Sequence, residues 1–194
     1  QRQTFEPLRR DLLLERYTSR AEQALQAQNH AAALTALRQA RALAPEDPWL
    51  AYRLANLLEE QGQRRQADAV FADLLLRQPG DPTAHYAHGL YLAAAQRDVA
   101  ALATLGDVAP ELWGEGMRTL AARVQRRQLL ERAETLRASG REAAAVGLIE
   151  HAVRENGGPP DDLVMLADWA ASRGEPDKAL DYLQQALTLD RQHA

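Results

Sequence analysis

The first residues of this chain that could do chemistry are two histidines on one predicted helix. His85 and His88 are three residues apart, and Asp81 comes shortly before them. Imidazole nitrogens and a carboxylate at this spacing lie on one face of a helix, where they could begin a zinc site. Both histidines nevertheless occupy ordinary packing positions of a repeated helical pattern. The sequence therefore predicts no metal site.

Adjacent carboxylates are the second set, at Glu59–Glu60 and Asp161–Asp162. Two carboxyl groups can act together as general acid and base. In a chain with 26% charged residues, such pairs are expected on solvated helix faces or as helix caps. The sequence contains no Walker loop, no dinucleotide-binding glycine motif, no HExxH motif and no nucleophile elbow. We therefore predict no catalytic residues, no cofactor and a chain that is not an enzyme.

Arg123, Arg126 and Arg127 form a basic cluster that could contact phosphate groups. Glu131 and Glu134 follow on the same predicted helix, at distances that favour local ion pairs. The whole chain has a formal net charge of −4 and a pI of about 5.8. We therefore predict local ion pairing for these arginines and no nucleic-acid partner.

Aromatic side chains recur along one predicted face. Tyr52 and Tyr86 hold the same position in two consecutive units of a repeat, and Trp49 lies three residues before Tyr52. Asn56 and Glu60 follow Tyr52 on successive helical turns, so their side chains share its face. We predict that Trp49, Tyr52, Asn56, Glu60 and Tyr86 form a groove that binds a partner protein or a sugar polymer. The alternative is that the rings pack internally.

The repeat that positions these side chains has a period of about 34 residues, which is that of the tetratricopeptide repeat. Asp–Pro pairs begin at Asp47 and Asp81, one period apart, and the same interval separates Gly140 from Gly174. Gly62 stands at the equivalent turn of the second unit. Each unit of such a repeat is a pair of antiparallel helices.

The composition also favours helices, because Ala, Leu, Gln, Glu and Arg dominate and aromatic residues make up only 5%. The fold class predicted is all-α, a right-handed tetratricopeptide solenoid of about five helix pairs. The predicted helices span 6–28, 31–44, 48–61, 64–77, 82–95, 98–105, 111–138, 141–155, 161–173 and 176–190.

The period is interrupted once. Gln96 stands where the third turn glycine is expected, and Gly140 follows it at more than one period. The surplus lies in Gly106–Met117, whose glycines and proline do not continue a helix. The prediction is an N-terminal sub-array of three pairs over 1–105, an irregular loop or hinge over 106–117, and a C-terminal sub-array of two pairs over 118–194.

The chain has no cysteine, so disulfides and thiolate metal sites are excluded while the redox compartment stays open. No run approaches the roughly 20 apolar residues that span a bilayer. Because the chain begins at Gln1 without a methionine, we expect a segment of a longer protein. No polar capping helix follows the last predicted helix, so we expect an exposed apolar edge there.

Four segments resemble the tetratricopeptide region of the C component of bacterial cellulose synthase. They are DPWLAYRLANLLEEQGQRRQADAVFADLL (47–75), YAHGLYLAAAQRDVAALATL (86–105), LERAETLRASGREAAA (130–145) and LADWAASRG (166–174). The irregular stretch around Trp113 is also similar to that family.

The resemblance implies a periplasmic module attached to an outer-membrane barrel through which a β-1,4-glucan leaves the cell. The implied role is a scaffold between the synthase and the exit channel, with no catalytic residues. Other subunits of the cellulose synthase complex are the implied partners, and the glucan chain is a further candidate. A generic peptide-binding repeat adaptor and the repeat module of another exopolysaccharide exporter are the alternatives.

Overall fold

The computed structural model describes residues 2–156 and 159–193. These residues form ten α-helices and one short 3₁₀ helix, without a strand. The α-helices are α1 Arg2–Gln26, α2 His30–Leu43, α3 Pro48–Glu60, α4 Arg64–Arg77, α5 Pro82–Ala94, α6 Asp98–Gly106, α7 Glu115–Ala138, α8 Glu142–Asn156, α9 Pro160–Ser172 and α10 Pro176–His193. The all-α prediction is confirmed.

Two helix starts differ from the predicted ones by four residues, and those of α2, α8 and α9 differ by one. Helix α1 begins at Arg2 and contains Pro7, whereas the predicted start was residue 6, near that proline. Helix α7 begins at Glu115, four residues later than predicted, because Pro110–Leu112 forms a separate 3₁₀ turn. Proline suits the first position of such a turn, since it has no N–H to leave unpaired.

The Asp–Pro pairs begin helices as predicted. The Asp47 carboxylate accepts hydrogen bonds from the backbone N–H groups of Trp49 and Leu50, at 2.8 and 3.1 Å. Asp81 caps α5 in the same way. Each cap satisfies donors that have no partner inside the helix. These two caps therefore fix where the helices that carry the aromatic residues begin.

A residue with positive φ ends the first helix of every pair, at Gln28, Gly62, Gln96, Gly140 and Gly174. In each turn the next residue donates its N–H to a carbonyl five positions earlier, as in a Schellman motif. Successive turns are one repeat period apart, except that the interval from Gln96 to Gly140 is longer. The turns define five helix pairs, and the longer interval contains the irregular segment.

Contacts between residues divide the chain into two compact units that meet in the sequence at Gln125 and Arg126, inside α7. The first unit has one continuous apolar core, from Ala21 to Val124. Its largest enclosed side chains include Phe71 and Tyr91. Small residues allow the helices to approach, since a Cβ on Gly89 would lie 3.0 Å from the Leu105 side chain.

The second unit has a smaller core that includes Ile149, Leu163 and Leu166. Leu180, Leu183 and Leu187 of α10 are instead exposed, as expected for an apolar edge on the last predicted helix.

The irregular segment packs into the first unit. Val108 and Met117 are buried, and the Trp113 indole N–H donates to the Val108 carbonyl at 2.9 Å. A sub-array boundary over 106–117, and a hinge at that place, stay predictions.

Among the described residues, no helix is long and apolar enough to cross a membrane.

Candidate binding groove

Three of the five predicted site residues line one groove. Tyr52, Asn56 and Glu60 lie on successive turns of α3 and face α5 across a cavity of ≈ 400 Å³. We call this the α3–α5 groove; its lining is completed by Glu59, Tyr91, Ala94 and Ala95. The spacing of i, i+4 and i+8 places the three side chains on one stripe of the helix. No arginine or lysine lines the cavity.

Trp49 and Tyr86 join Tyr52 in an aromatic cluster beside the groove. The Trp49 ring lies 6.2 Å from Tyr52 and 6.0 Å from Tyr86, with interplanar angles of 81° and 86°. Such edge-to-face contacts are favourable for aromatic pairs. Trp49 remains 45% exposed. The structure thus brings the predicted rings together as one perpendicular cluster, and their role in binding stays a prediction.

Tyr86 is held by a close approach of α7. A Cβ built on Gly116 would lie 2.8 Å from the Tyr86 hydroxyl oxygen and 2.9 Å from Cζ. Any larger residue at Gly116 would displace the tyrosine. Tyr86 does not line the α3–α5 groove itself; its ring contacts that of Trp49 edge-to-face.

The two adjacent glutamates of α3 differ in their partners. Glu59 accepts hydrogen bonds from Arg64 at 2.6 and 2.8 Å, and the Arg64 hydrogen bond lowers the pKa of Glu59. Glu60 and Asn56 form no side-chain hydrogen bond or ion pair with any residue that the structure describes. The groove therefore offers one carboxylate and one amide that are free to bind a ligand.

A buried tyrosine closes the far wall of the groove. The Tyr91 hydroxyl lies 3.1 Å from Glu59 Oε2 and 3.0 Å from Asp68 Oδ1, and Arg97 pairs with Asp68 at 2.6 Å. Burial, together with these carboxylates, raises the pKa of Tyr91. The phenol has one proton and can donate to one carboxylate at a time. Each carboxylate also has an arginine, so the network is charge-compensated and keeps this wall in place.

Sequence reasoning missed this network. Asp68 lies on α4 and Arg97 precedes α6, whereas Tyr91 belongs to α5. No spacing rule along the chain links the three residues, so only the packing of the helices could reveal the contact.

The two histidines of α5 do not line the groove; they contact residues of the core and of neighbouring helices. The His85 ring nitrogens lie 2.9 Å from the carbonyl oxygens of Thr104 and Pro79, and His88 Nδ1 lies 3.0 Å from Thr104 Oγ1. The His88 ring also packs on Phe71, with centroids 4.8 Å apart. Burial lowers the pKa of His88 to about 4. Among the described residues, no three His, Asp or Glu side chains converge on a metal-binding position.

One carboxylate of the second unit was interpreted wrongly from the sequence. Asp162 is neither a solvated residue nor a cap: it is buried and receives a two-nitrogen ion pair from Arg126, with Nε at 3.1 Å. Arg126 was expected to pair locally on α7. It reaches α9 instead, because packing of the helices removes the Asp162 carboxylate from water, and a buried charge needs a charged partner.

Comparisons with known proteins bear on the family. Residues 24–91 and 163–194 each match a model described as tetratricopeptide repeat, and together the two matches cover just over half of the chain. The solved structure entitled "Functional Characterization of Pseudomonas Aeruginosa pilF" superposes with a TM-score of 0.48 at 19% identity, covering 91% of this chain and 78% of that one. This score is too low to support the fold, which rests on the helices themselves.

Two curated relatives are similar over nearly all of the chain. Cellulose synthase operon protein C of Escherichia coli (strain K12) is 36% identical over 197 aligned residues, covering 100% of this chain and 16% of the relative. Its namesake from Salmonella typhimurium is 37% identical over 177 residues, covering 90% of this chain and 14% of the relative. The chain thus spans about one sixth of the length of these proteins. It belongs to the tetratricopeptide-repeat family and is homologous, over its whole length, to one part of cellulose synthase operon protein C.

Proposed function

We propose that this chain is a non-catalytic scaffold module of a bacterial cellulose synthesis and export complex. It acts in the periplasm, where it links the synthase to an outer-membrane channel through protein–protein contacts. The observation that carries the proposal is the homology, over the full chain, to cellulose synthase operon protein C.

The architecture supports a binding role for the chain. Repeat arrays of this family typically bind other proteins on an extended face, because each helix pair contacts only its neighbours and leaves one face of the first helices open. The α3–α5 groove lies between two such first helices. Its free carboxylate and amide, with the exposed Trp49 beside them, give this face both polar and apolar contacts.

The site also supports a role without chemistry. Glu59 is paired with Arg64, and His85 and His88 are engaged in hydrogen bonds within the core. Tyr91 is buried, and its pKa is raised. A reacting side chain needs a substrate within hydrogen-bonding reach, and these groups are already occupied. The function proposed is therefore assembly.

Photo-crosslinking in cells that make cellulose tests the proposal. A photoreactive phenylalanine analogue replaces Tyr52 in the full-length protein, and the crosslinked proteins are identified by mass spectrometry. The expected partners are other subunits of the cellulose synthase complex. The matched control places the same analogue at Val99, which is 78% exposed on α6 and does not line the α3–α5 groove.

Crosslinks from Tyr52 to cellulose-synthesis subunits, absent from Val99, would support the scaffold role. Crosslinks to subunits of a different polysaccharide exporter would contradict the cellulose assignment. Crosslinks only to proteins unrelated to polysaccharide export would favour a general peptide-binding adaptor. The amount of secreted cellulose gives an independent measure. If the scaffold is needed for export, removing it must lower that amount.

A further inference from the structure

The first unit separates its charges between two faces. The α3–α5 groove is lined by two glutamates and by no basic residue. A second cavity of ≈ 350 Å³, between α1 and α3, is lined by Asp11, Glu15 and Asp47, again without a basic residue. A third cavity of ≈ 490 Å³, lined mainly by residues of α2 and α4, instead combines one aspartate with three arginines, Arg38, Arg41 and Arg77. The two cavities between first helices are therefore acidic in their lining, and the cavity between second helices is basic.

The two acidic cavities involve equivalent positions of consecutive repeat units. Glu15 and Thr18 are the equivalents, one repeat unit earlier, of Trp49 and Tyr52. The Asp47 carboxylate is used as the cap of α3, but Glu15, like Glu60, has no side-chain partner among the described residues. The first helices α1 and α3 therefore each carry one unpaired carboxylate, Glu15 and Glu60, and α3 also carries the exposed Trp49.

The geometry of the rings argues against a sugar polymer on this face. A flat β-1,4-glucan ribbon stacks its sugar rings on aromatic faces that are roughly parallel to each other. Trp49 stands at 81° to Tyr52 and at 86° to Tyr86, and Tyr86 is held against Gly116. These rings provide one anchoring point and not a row along which a ribbon could lie.

We propose that the α3–α5 groove, with Trp49 beside it, binds a polypeptide segment of another protein that carries a lysine or arginine between apolar residues. The cation forms an ion pair with Glu60, while Asn56 accepts or donates a hydrogen bond to the backbone of the segment. Trp49 lies about 16 Å from Glu60 along the axis of α3, so its exposed ring contacts an apolar residue further along the same segment. The apolar neighbours of the cation contact Ala94 and Ala95 on the opposite wall. This inference rests on the proposed scaffold role, because it names the chemistry of the partner at the same face.

Charge complementarity decides between this partner and an acidic one. A terminal carboxylate, the ligand of many repeat adaptors, needs arginine or lysine at the groove, and none lines it. Arg53, on the same helix as Tyr52, is already paired with Glu22 at 3.3 Å. An acidic segment would therefore meet Glu60 without a compensating cation and would be repelled.

Titration of this chain with two model peptides tests the proposal, with binding followed by NMR. The first is a capped hexapeptide that alternates lysine with leucine, and the second has glutamate in place of lysine. The lysine peptide is expected to shift the Trp49 indole N–H signal and the amide signals of α3, with binding that weakens in high salt. The glutamate peptide is expected to shift neither.

Matched variants locate the binding. Glu60→Gln is expected to weaken binding of the lysine peptide about threefold, as for one exposed ion pair. Trp49→Leu is expected to weaken it by a similar factor of about three, because leucine offers less contact area than the indole ring to a leucine of the peptide. Glu155→Gln, an exposed glutamate on α8, is the control and is expected to leave binding unchanged. Circular dichroism checks that each variant is folded.

Three results would overturn the inference: no shift at Trp49 with the lysine peptide, equal binding of the glutamate peptide, or undiminished binding in Glu60→Gln. If cellohexaose shifts the Trp49 signal and the lysine peptide does not bind, the ligand is a sugar and the inference is overturned. If the peptide fails while the Tyr52 crosslinks to cellulose-synthesis subunits persist, the inference alone is wrong and the scaffold role stands.

Discussion

One position of the repeat holds a buried side chain in the first compact unit and an exposed one in α10. The residue nine positions after the turn is Leu37, Phe71 or Leu105 in the first unit, and each of these is at most 1% exposed. Its equivalent in α10 is Leu183, which is 40% exposed. All four are large and apolar, so the sequence pattern alone does not distinguish them. The difference shows that burial in a repeat depends on whether a further helix covers the position.

The polar interiors differ as well. In the first unit, buried polar groups such as His85 and Tyr91 hydrogen-bond to side chains and carbonyls of other helices. In the second unit, the buried carboxylate of Asp162 depends on Arg126, whose side chain is 40% exposed. The first unit therefore specifies its helix packing with neutral and charged contacts together, whereas the second adds to this ion pair a hydrogen bond from Tyr182 to Glu150 at 2.6 Å.

The largest expected effect is at the repeat position itself. Phe71→Ala removes a fully buried ring and is expected to cost about 4 kcal/mol of unfolding free energy, since it leaves a cavity. Leu183→Ala, at the equivalent exposed position, is expected to cost less than about 1 kcal/mol. Urea unfolding, followed by circular dichroism, measures both. Equal losses would show that Leu183 is enclosed in solution, for example by a second copy of the chain.

A smaller effect is expected from pH, through a histidine of the first unit. The pKa of His88 is lowered from 6.5 to about 4 by burial, with Arg97 as the next cause. The folded state keeps this imidazole neutral in that interval, whereas the unfolded chain takes up a proton near pH 6.5. Stability is therefore complete above pH 6.5 and is lost as the pH falls towards 4, by about 2 kcal/mol when partial exposure is allowed for.

The control for this prediction is His88→Gln, which cannot titrate. Its unfolding free energy is expected to vary less between pH 6.5 and pH 4 than that of the unmodified chain. Several carboxylates, among them Asp73 with its lowered pKa, also destabilise the fold in acid, so the difference between the two curves is the informative quantity. Parallel curves would contradict a buried, neutral His88.

The smallest effect concerns the turns. Gln96 has a φ of 58°, in the left-handed region that glycine occupies at Gly62, Gly140 and Gly174. Gln96→Gly is expected to stabilise the chain by about 1 kcal/mol, and Gly62→Ala to destabilise it by about the same amount. Thermal unfolding distinguishes the two signs. A destabilised Gln96→Gly would mean that its side chain makes contacts that outweigh the backbone strain.

Most of the fold was predictable because local rules specify it. Asp47–Pro48 and Asp81–Pro82 determine helix starts through caps that involve neighbouring residues only. The glycine turns determine helix ends in the same way. The prediction was less accurate at α7, because Pro110–Leu112 forms a separate 3₁₀ turn and the helix begins only at Glu115.

The candidate groove was predictable only in outline. The repeat placed Tyr52, Asn56 and Glu60 on one face, and the structure has them lining one cavity. The mutual angles of the rings and the pairing of Glu59 depend on side chains from α4 and α5. The pairing of Asp162 with Arg126, on a different helix, likewise has no signal in local spacing.

Export of cellulose tests the central claim most directly. In cells that carry the full-length protein, Trp49→Ala, Tyr52→Ala and Glu60→Gln are introduced together, and secreted cellulose is measured by Congo red binding and by glucose release with cellulase. The control changes Leu76→Ala, Val99→Ala and Glu155→Gln, all exposed positions outside the α3–α5 groove. The account predicts that secretion falls several-fold in the groove variant and not in the control, at equal protein levels. Undiminished secretion in the groove variant would contradict the claim that this face binds the export machinery.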